Sequence, residues 1–235
     1  MLLLNRLLKI LFLISMCFSQ GPINGYGIGS FQQWSSASDG GNSSLGMTPS
    51  YRNQVSLSNP TTWSNLKFTS LSISYNGFES IIKNNSRNGY SNLQSAQLII
   101  PIKRKHALGI ELHPYSYQKV NLLDSLNSEL IVFGDSVSMV KEYKQAGGIM
   151  AFNLSAASSI LPKTSIGITF QLLFGSSRQN NNLNIDEIPY TLSSRLNFSG
   201  INALLFAEHK INELSLYFKS KVSIKPMEAI STKLY

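Results

Sequence analysis

From Leu66 onward, apolar and polar residues alternate along the chain, the period-two mark of strands whose two faces meet different surroundings. The clearest run is Thr164–Ser176. Ile166, Ile168, Phe170, Leu172 and Phe174 fall on one face, while Ser165, Gly167, Thr169, Gln171 and Gly175 fall mainly on the other. His106–Gln118 sets Leu108, Ile110 and Leu112 against Gly109, Glu111 and His113. Asn212–Ile224 sets Leu214, Leu216, Phe218, Val222 and Ile224 against Glu213, Ser215, Lys219 and Lys221. Leu66–Tyr75, Leu93–Lys103, Tyr143–Ala156 and Thr191–Ala207 alternate less regularly. These segments predict seven strands that meet the roughly 9–11 residues a tilted strand needs to cross a bilayer.

The connections carry a second pattern. Asn76–Asn92, Lys119–Lys141 and Ser177–Tyr190 are long and polar; Lys103–His106, Leu161–Lys163 and His209–Asn212 are short. Long and short alternate strictly, as the extracellular loops and periplasmic turns of outer-membrane barrels do. The first strand then runs outward. The predicted fold is all-β, an antiparallel transmembrane β-barrel in the bacterial outer membrane, with seven to eight strands visible in residues 66–235.

Residues 21–65 differ. They are rich in Gly and Ser with little periodicity, which predicts irregular structure and one short strand at Gly25–Phe31. Tyr26, Phe31, Trp34, Leu45, Met47, Tyr51 and Trp63 argue that the segment packs, and it is free to fold back into the barrel mouth. Residues 1–20 read as a secretory signal peptide: Arg6 and Lys9, then the apolar run Ile10–Ile14, then small residues with cleavage after Ser19. Cys17, the single cysteine of the chain, offers a lipidation site as the alternative.

Composition sharpens this picture. Charged residues make up 14% of the 235 positions, against about 25% in soluble domains. Ser, Asn, Gln, Thr and Gly take their place, as suits a wall between lipid and confined water. The net charge of +8 is scattered. Its one short run, Lys103-Arg104-Lys105-His106, reads as a solvated turn, so nucleic acid is not an expected partner. Tyr75, Tyr90, Tyr115, Tyr117, Tyr143 and Phe174 fall near predicted strand ends, where interfacial aromatic girdles sit.

Catalytic chemistry is not apparent. His106, His113 and His209 are far apart, and Glu111 with His113 shares one strand face without an identifiable third metal ligand. The carboxylates are too scattered for an acid/base pair. Gly25-Tyr26-Gly27-Ile28-Gly29 precedes no helix, which a dinucleotide loop requires. No enzyme activity, metal or cofactor is expected.

Several short motifs resemble a known family. Gly25-Tyr26-Gly27-Ile28-Gly29-Ser30, Gly40-Gly41-Asn42-Ser43-Ser44-Leu45-Gly46-Met47, Ser58-Asn59-Pro60, Ser165-Ile166-Gly167-Ile168 and Leu173-Phe174-Gly175 look like the FadL-type outer-membrane transporters, particularly the PorV-like branch. Thr48-Pro49 and Thr61 stand where that family has glycine and alanine. The resemblance implies a barrel of about fourteen strands, of which this chain would be a C-terminally truncated member. It implies a luminal hatch shaped by Gly46, Met47, Asn59 and Pro60, and passage of hydrophobic small molecules. In the PorV-like branch it implies instead a non-transporting scaffold for protein secretion or surface attachment. Outer-membrane lipid, a hydrophobic ligand and secretion-system proteins are the partners that follow. A soluble β-sandwich or adhesin is the remaining alternative.

Overall fold

The computed structural model describes residues 29–31, 47–49, 55–82, 86–103, 105–132, 135–185 and 188–234. Seven long strands follow one another as an antiparallel meander: β2 (Ser70–Ile82), β3 (Ser86–Ile102), β4 (His106–Val132), β5 (Asp135–Leu161), β6 (Thr164–Ile185), β7 (Ile188–Ile211) and β8 (Leu214–Leu234). A two-residue β1 (Ser30–Phe31) lies off this path and pairs with β4 at Tyr117 and Ser116. Short turns join β3 to β4, β5 to β6 and β7 to β8. Lys103 (φ 48°) and Asn212 (φ 53°) adopt the left-handed conformation such tight reversals use.

All seven strands expected from alternation are present, but the long connections are not loops. β4 and β5 each run for 27 residues, so Lys119–Lys141 is mostly paired backbone. Asn/Ser-rich sequence can pair because its side chains bond across strands rather than to their own backbone. Thr191 donates to Asn182, Ser193 to Asn180, and Asn182 to Glu142.

The two faces are inverted relative to a water-soluble sheet. Leu71, Ile73, Ile110, Leu154, Ile168, Phe170, Leu205, Phe218 and Val222 point outward and are 40–71% exposed. The inward face buries Gln97, Glu111, Gln118, Gln145, Asn153, Thr169, Gln171 and Asn202. On β6 the outward apolar run Ile166–Phe174 covers about 30 Å of strand, or about 23 Å of height at the usual tilt. That matches the roughly 25 Å apolar band of a transmembrane wall. Just beyond it the backbone of β5 and β6 is squeezed: a Cβ on Gly147 would lie 2.2 Å from the Ser176 carbonyl oxygen, and one on Gly175 2.3 Å from that of Gly148. Glycine permits this close approach, which bends the sheet.

The sheet curls strongly enough that strands far apart in its order touch. Lys221 on β8 donates to the Tyr115 hydroxyl on β4 at 2.9 Å, and its ammonium sits 4.5 Å from the ring centroid. A closed barrel is not formed, however. The hydrogen-bonded order starts at β2 and stops at β8, so the expected closure is corrected to an open, curled antiparallel sheet. The β3–β4 ladder also ends at Ala96 and Leu112, above which β3 follows β2 and β4 follows β5. Among the described residues no helix is long and apolar enough to cross a membrane.

Candidate functional site

The concave face is filled by the chain itself. Val55–Leu66 lies against it, built around a 3-10 turn, Pro60–Asn65. Asn59 caps this turn: its Oδ1 accepts from the Thr61 backbone N–H (3.2 Å) and the Thr61 hydroxyl (2.8 Å). Pro60 follows at the first position, where a missing N–H costs nothing. The Asn59 amide also donates to the Met47 carbonyl at 2.7 Å, tying the preceding stretch to the turn. Thr62 Oγ1 accepts from Ser56 N, and Trp63 Nε1 donates to the Ser56 carbonyl, both at 2.9 Å. The segment thus satisfies most of its buried polar groups internally, as burial requires. The wall adds Gln97, whose Nε2 donates to the Leu57 carbonyl at 2.7 Å.

Trp63 anchors the segment. It is 2% exposed and packs with Val55, Ile99 and Ala107. Its ring lies over Gly109, where a Cβ would come within 2.4 Å of Cζ3; Pro60 lies over Gly167, where a Cβ would be 3.0 Å away. Two inward glycines on the wall therefore form the seats of two bulky residues. A second apolar cluster, Ile149, Ala151, Leu173 and Phe198, is joined by Tyr115, Leu196 and Met227 on the same face.

A row of amides crosses four strands on the inward face. Asn202 donates to Gln171 (2.9 Å), Gln171 to Asn153 (3.1 Å) and Asn153 to Glu111 Oε2 (2.8 Å). Asn153 Nδ2 also lies 3.2 Å from His113 Nε2, and His113 Nδ1 lies 3.1 Å from the Pro114 carbonyl. One tautomer satisfies both His contacts: Nδ1 donates to Pro114 and Nε2 accepts from Asn153. The amide N–H groups fill the space between Glu111 and His113, where a shared cation would need lone pairs. Among the described residues no group of three or more His, Asp or Glu could hold a metal. Glu111 Oε1 is buried without a hydrogen-bond partner. A parallel row joins Tyr143, Gln145, Gln118 and Ser177.

Of the residues read from sequence, the structure brings together Met47, Asn59 and Pro60; Gly46 lies outside the described residues, as do residues 1–20. Trp63 as anchor, the seats Gly109 and Gly167, and the amide row went unread. The usable signal was glycine at inward positions of otherwise regular strands, Gly109 and Gly167, which marks a close approach.

A family model described as BamG matches residues 5–233. No curated protein and no solved structure matches the chain. The family match overturns the resemblance to FadL-type and PorV-like transporters, and with it passage of hydrophobic molecules. The physical reason is the generality of the motifs that carried the resemblance. Asn59-Pro60 is a cap followed by the residue best suited to a first helical position, chemistry shared by unrelated turns.

Proposed function

Because the chain belongs to the BamG family, we propose that it is a non-transporting structural subunit in the assembly of outer-membrane proteins. The observation that carries this reading is the inverted sheet with a filled concave face. Its outward apolar residues lose about 1.5–3 kcal/mol each when left in water, so they need lipid or protein against them. Val55–Leu66 occupies the interior as a plug, leaving the outward face, the edges and the polar strand extensions for partners. The family is associated with the bacterial outer membrane and with other proteins of its assembly complex. Among the described residues no strand pairs with the outer edges of β2 and β8, and these edges are the natural place for them, because unpaired strand edges in an apolar medium demand backbone partners.

The test uses the full chain in its native membrane, with a photo-crosslinking residue at Ile73 on β2 or Val222 on β8. Adducts with assembly-complex proteins, together with lower outer-membrane protein levels on depletion, are the expected result. A chain that leaves the membrane in alkaline carbonate, or whose depletion leaves those levels unchanged, refutes the reading. Liposome swelling by the purified protein would refute its non-transporting part.

A further inference from the structure

One row of the sheet lies just beyond the apolar band and carries cations on its outward face. The register aligns Lys119 of β4, Ala146 of β5, Arg178 of β6 and Arg195 of β7 side by side. Four residues nearer the short turns, the matching row is Met150, Phe174 and Ser199, where the apolar band ends. Arg178 and Arg195 are direct cross-strand partners on neighbouring strands. Like charges placed opposite each other across a ladder are destabilising, and among the described residues no carboxylate pairs with either. Arg195 donates to the Ser176 hydroxyl at 3.1 Å, which holds its guanidinium beside the band. Glu142 and Glu228 stand four register positions from the arginines, and each is engaged by a lysine, Lys144 at 2.7 Å and Lys225 at 3.0 Å.

Two arginines on strands about 5 Å apart, directly opposite in register, can converge on an anion with several oxygens. Arginine suits phosphate because its planar donors bind two oxygens at once. The height of the row selects the source. On the reading that the apolar band sits in the membrane, Arg178 and Arg195 stand about 13 Å along the strand from Phe174 and Ser199, at headgroup level. This is the end with long hairpins, which outer-membrane walls turn to the exterior. We propose that Arg178 and Arg195, flanked by Lys119, bind the phosphates of outer-leaflet glycolipid headgroups and so fix the depth and orientation of the wall.

This proposal rests on the membrane reading above, and the experiment separates the two. The full chain, and an Arg178→Gln/Arg195→Gln variant, are reconstituted into phosphatidylcholine vesicles containing either lipid A or its dephosphorylated form. Flotation measures insertion, and lipid retained after detergent extraction measures headgroup binding. The wild type should float with all vesicles, retain lipid A about tenfold over the dephosphorylated lipid, and lose that preference in the double variant. An Arg178→Lys/Arg195→Lys variant should keep part of it, and circular dichroism checks that each variant remains β-structured. Equal retention of both lipids by the wild type, or an undiminished preference in the Gln variant, overturns the proposal. So does displacement of bound lipid A by millimolar inorganic phosphate, which would make the site one for free phosphate. Failure to float with any vesicle defeats the membrane reading instead.

Discussion

Gly109 is the position where wall and plug can be tested against each other. A Cβ there would lie 2.4 Å from Trp63 Cζ3 and 2.6 Å from Cη2, whereas ordinary contact begins near 3.4 Å. The ring would have to retreat by about 1 Å. It has little freedom to do so, being 2% exposed and held by its bond to the Ser56 carbonyl. Gly109→Ala should therefore cost about 1–3 kcal/mol as overpacking, although alanine is otherwise favoured over glycine in a strand by about 0.5–1 kcal/mol. Trp63→Ala removes the ring and should cost about 3–5 kcal/mol. In the double variant the obstacle is gone, so Gly109→Ala reverts to its intrinsic gain. The double variant should be no less stable than Trp63→Ala alone, and short of the summed penalties by about 2 kcal/mol. Urea unfolding in micelles, followed by far-ultraviolet circular dichroism, measures all three without relying on tryptophan emission. Penalties that add within about 0.5 kcal/mol would refute the seat.

Asn59→Ala should lose about 1 kcal/mol of cap stability and release the Met47 tether, read as faster proteolysis within residues 47–66. Asn59→Asp keeps the Thr61 acceptor and should fall between the two. Gln171→Leu strands the Asn153 oxygen and an Asn202 donor, at about 1–3 kcal/mol each; a melting temperature equal to that of the wild type would show the row to be inconsequential. Ile168→Lys on the outward face should cost about 2–4 kcal/mol of stability in lipid, while remaining soluble without lipid would contradict the wall. Hydrogen bonding from Lys144, then from Asn182, holds the Glu142 carboxyl below its ordinary range. Its contribution is thus present above the ordinary carboxylate pKa and lost as pH falls through the lowered value. Lys144→Ala should move its titration upward by NMR.

Much of the wall was legible because alternation reports a sheet with unlike sides, and Thr164–Ser176 keeps that pattern without a break. The extent of the strands was not. In Ser177–Asn182 both faces are polar, so periodicity vanishes although the backbone stays paired with β5 and β7. Closure was unreadable for a related reason: alternation describes one strand at a time and says nothing of which edges meet. In the site, Asn59-Pro60 announced a turn through capping chemistry. Trp63 did not announce its seat, since contact with Gly109 joins residues 46 positions apart and depends on register. The row Asn202–Gln171–Asn153–Glu111 likewise exists only once four strands are aligned.

The interior chemistry argues for a fixed element rather than a passage. A path for solutes needs side chains that can exchange partners with whatever moves past them. Here Gln171 is engaged at both its oxygen and its nitrogen, and Asn153 is likewise engaged on both sides. Displacing either leaves buried amides unpaired, at about 1–3 kcal/mol per group. Val55–Leu66 adds a second lock, because lifting it exposes Trp63 and breaks the bond from the Gln97 amide to the Leu57 carbonyl. Neither device leaves a cheap open state. Among the described residues, the surfaces whose bonding is incomplete are the outer strand edges, the apolar outer face and the arginine pair beyond it, and all of these lie outside the concave face.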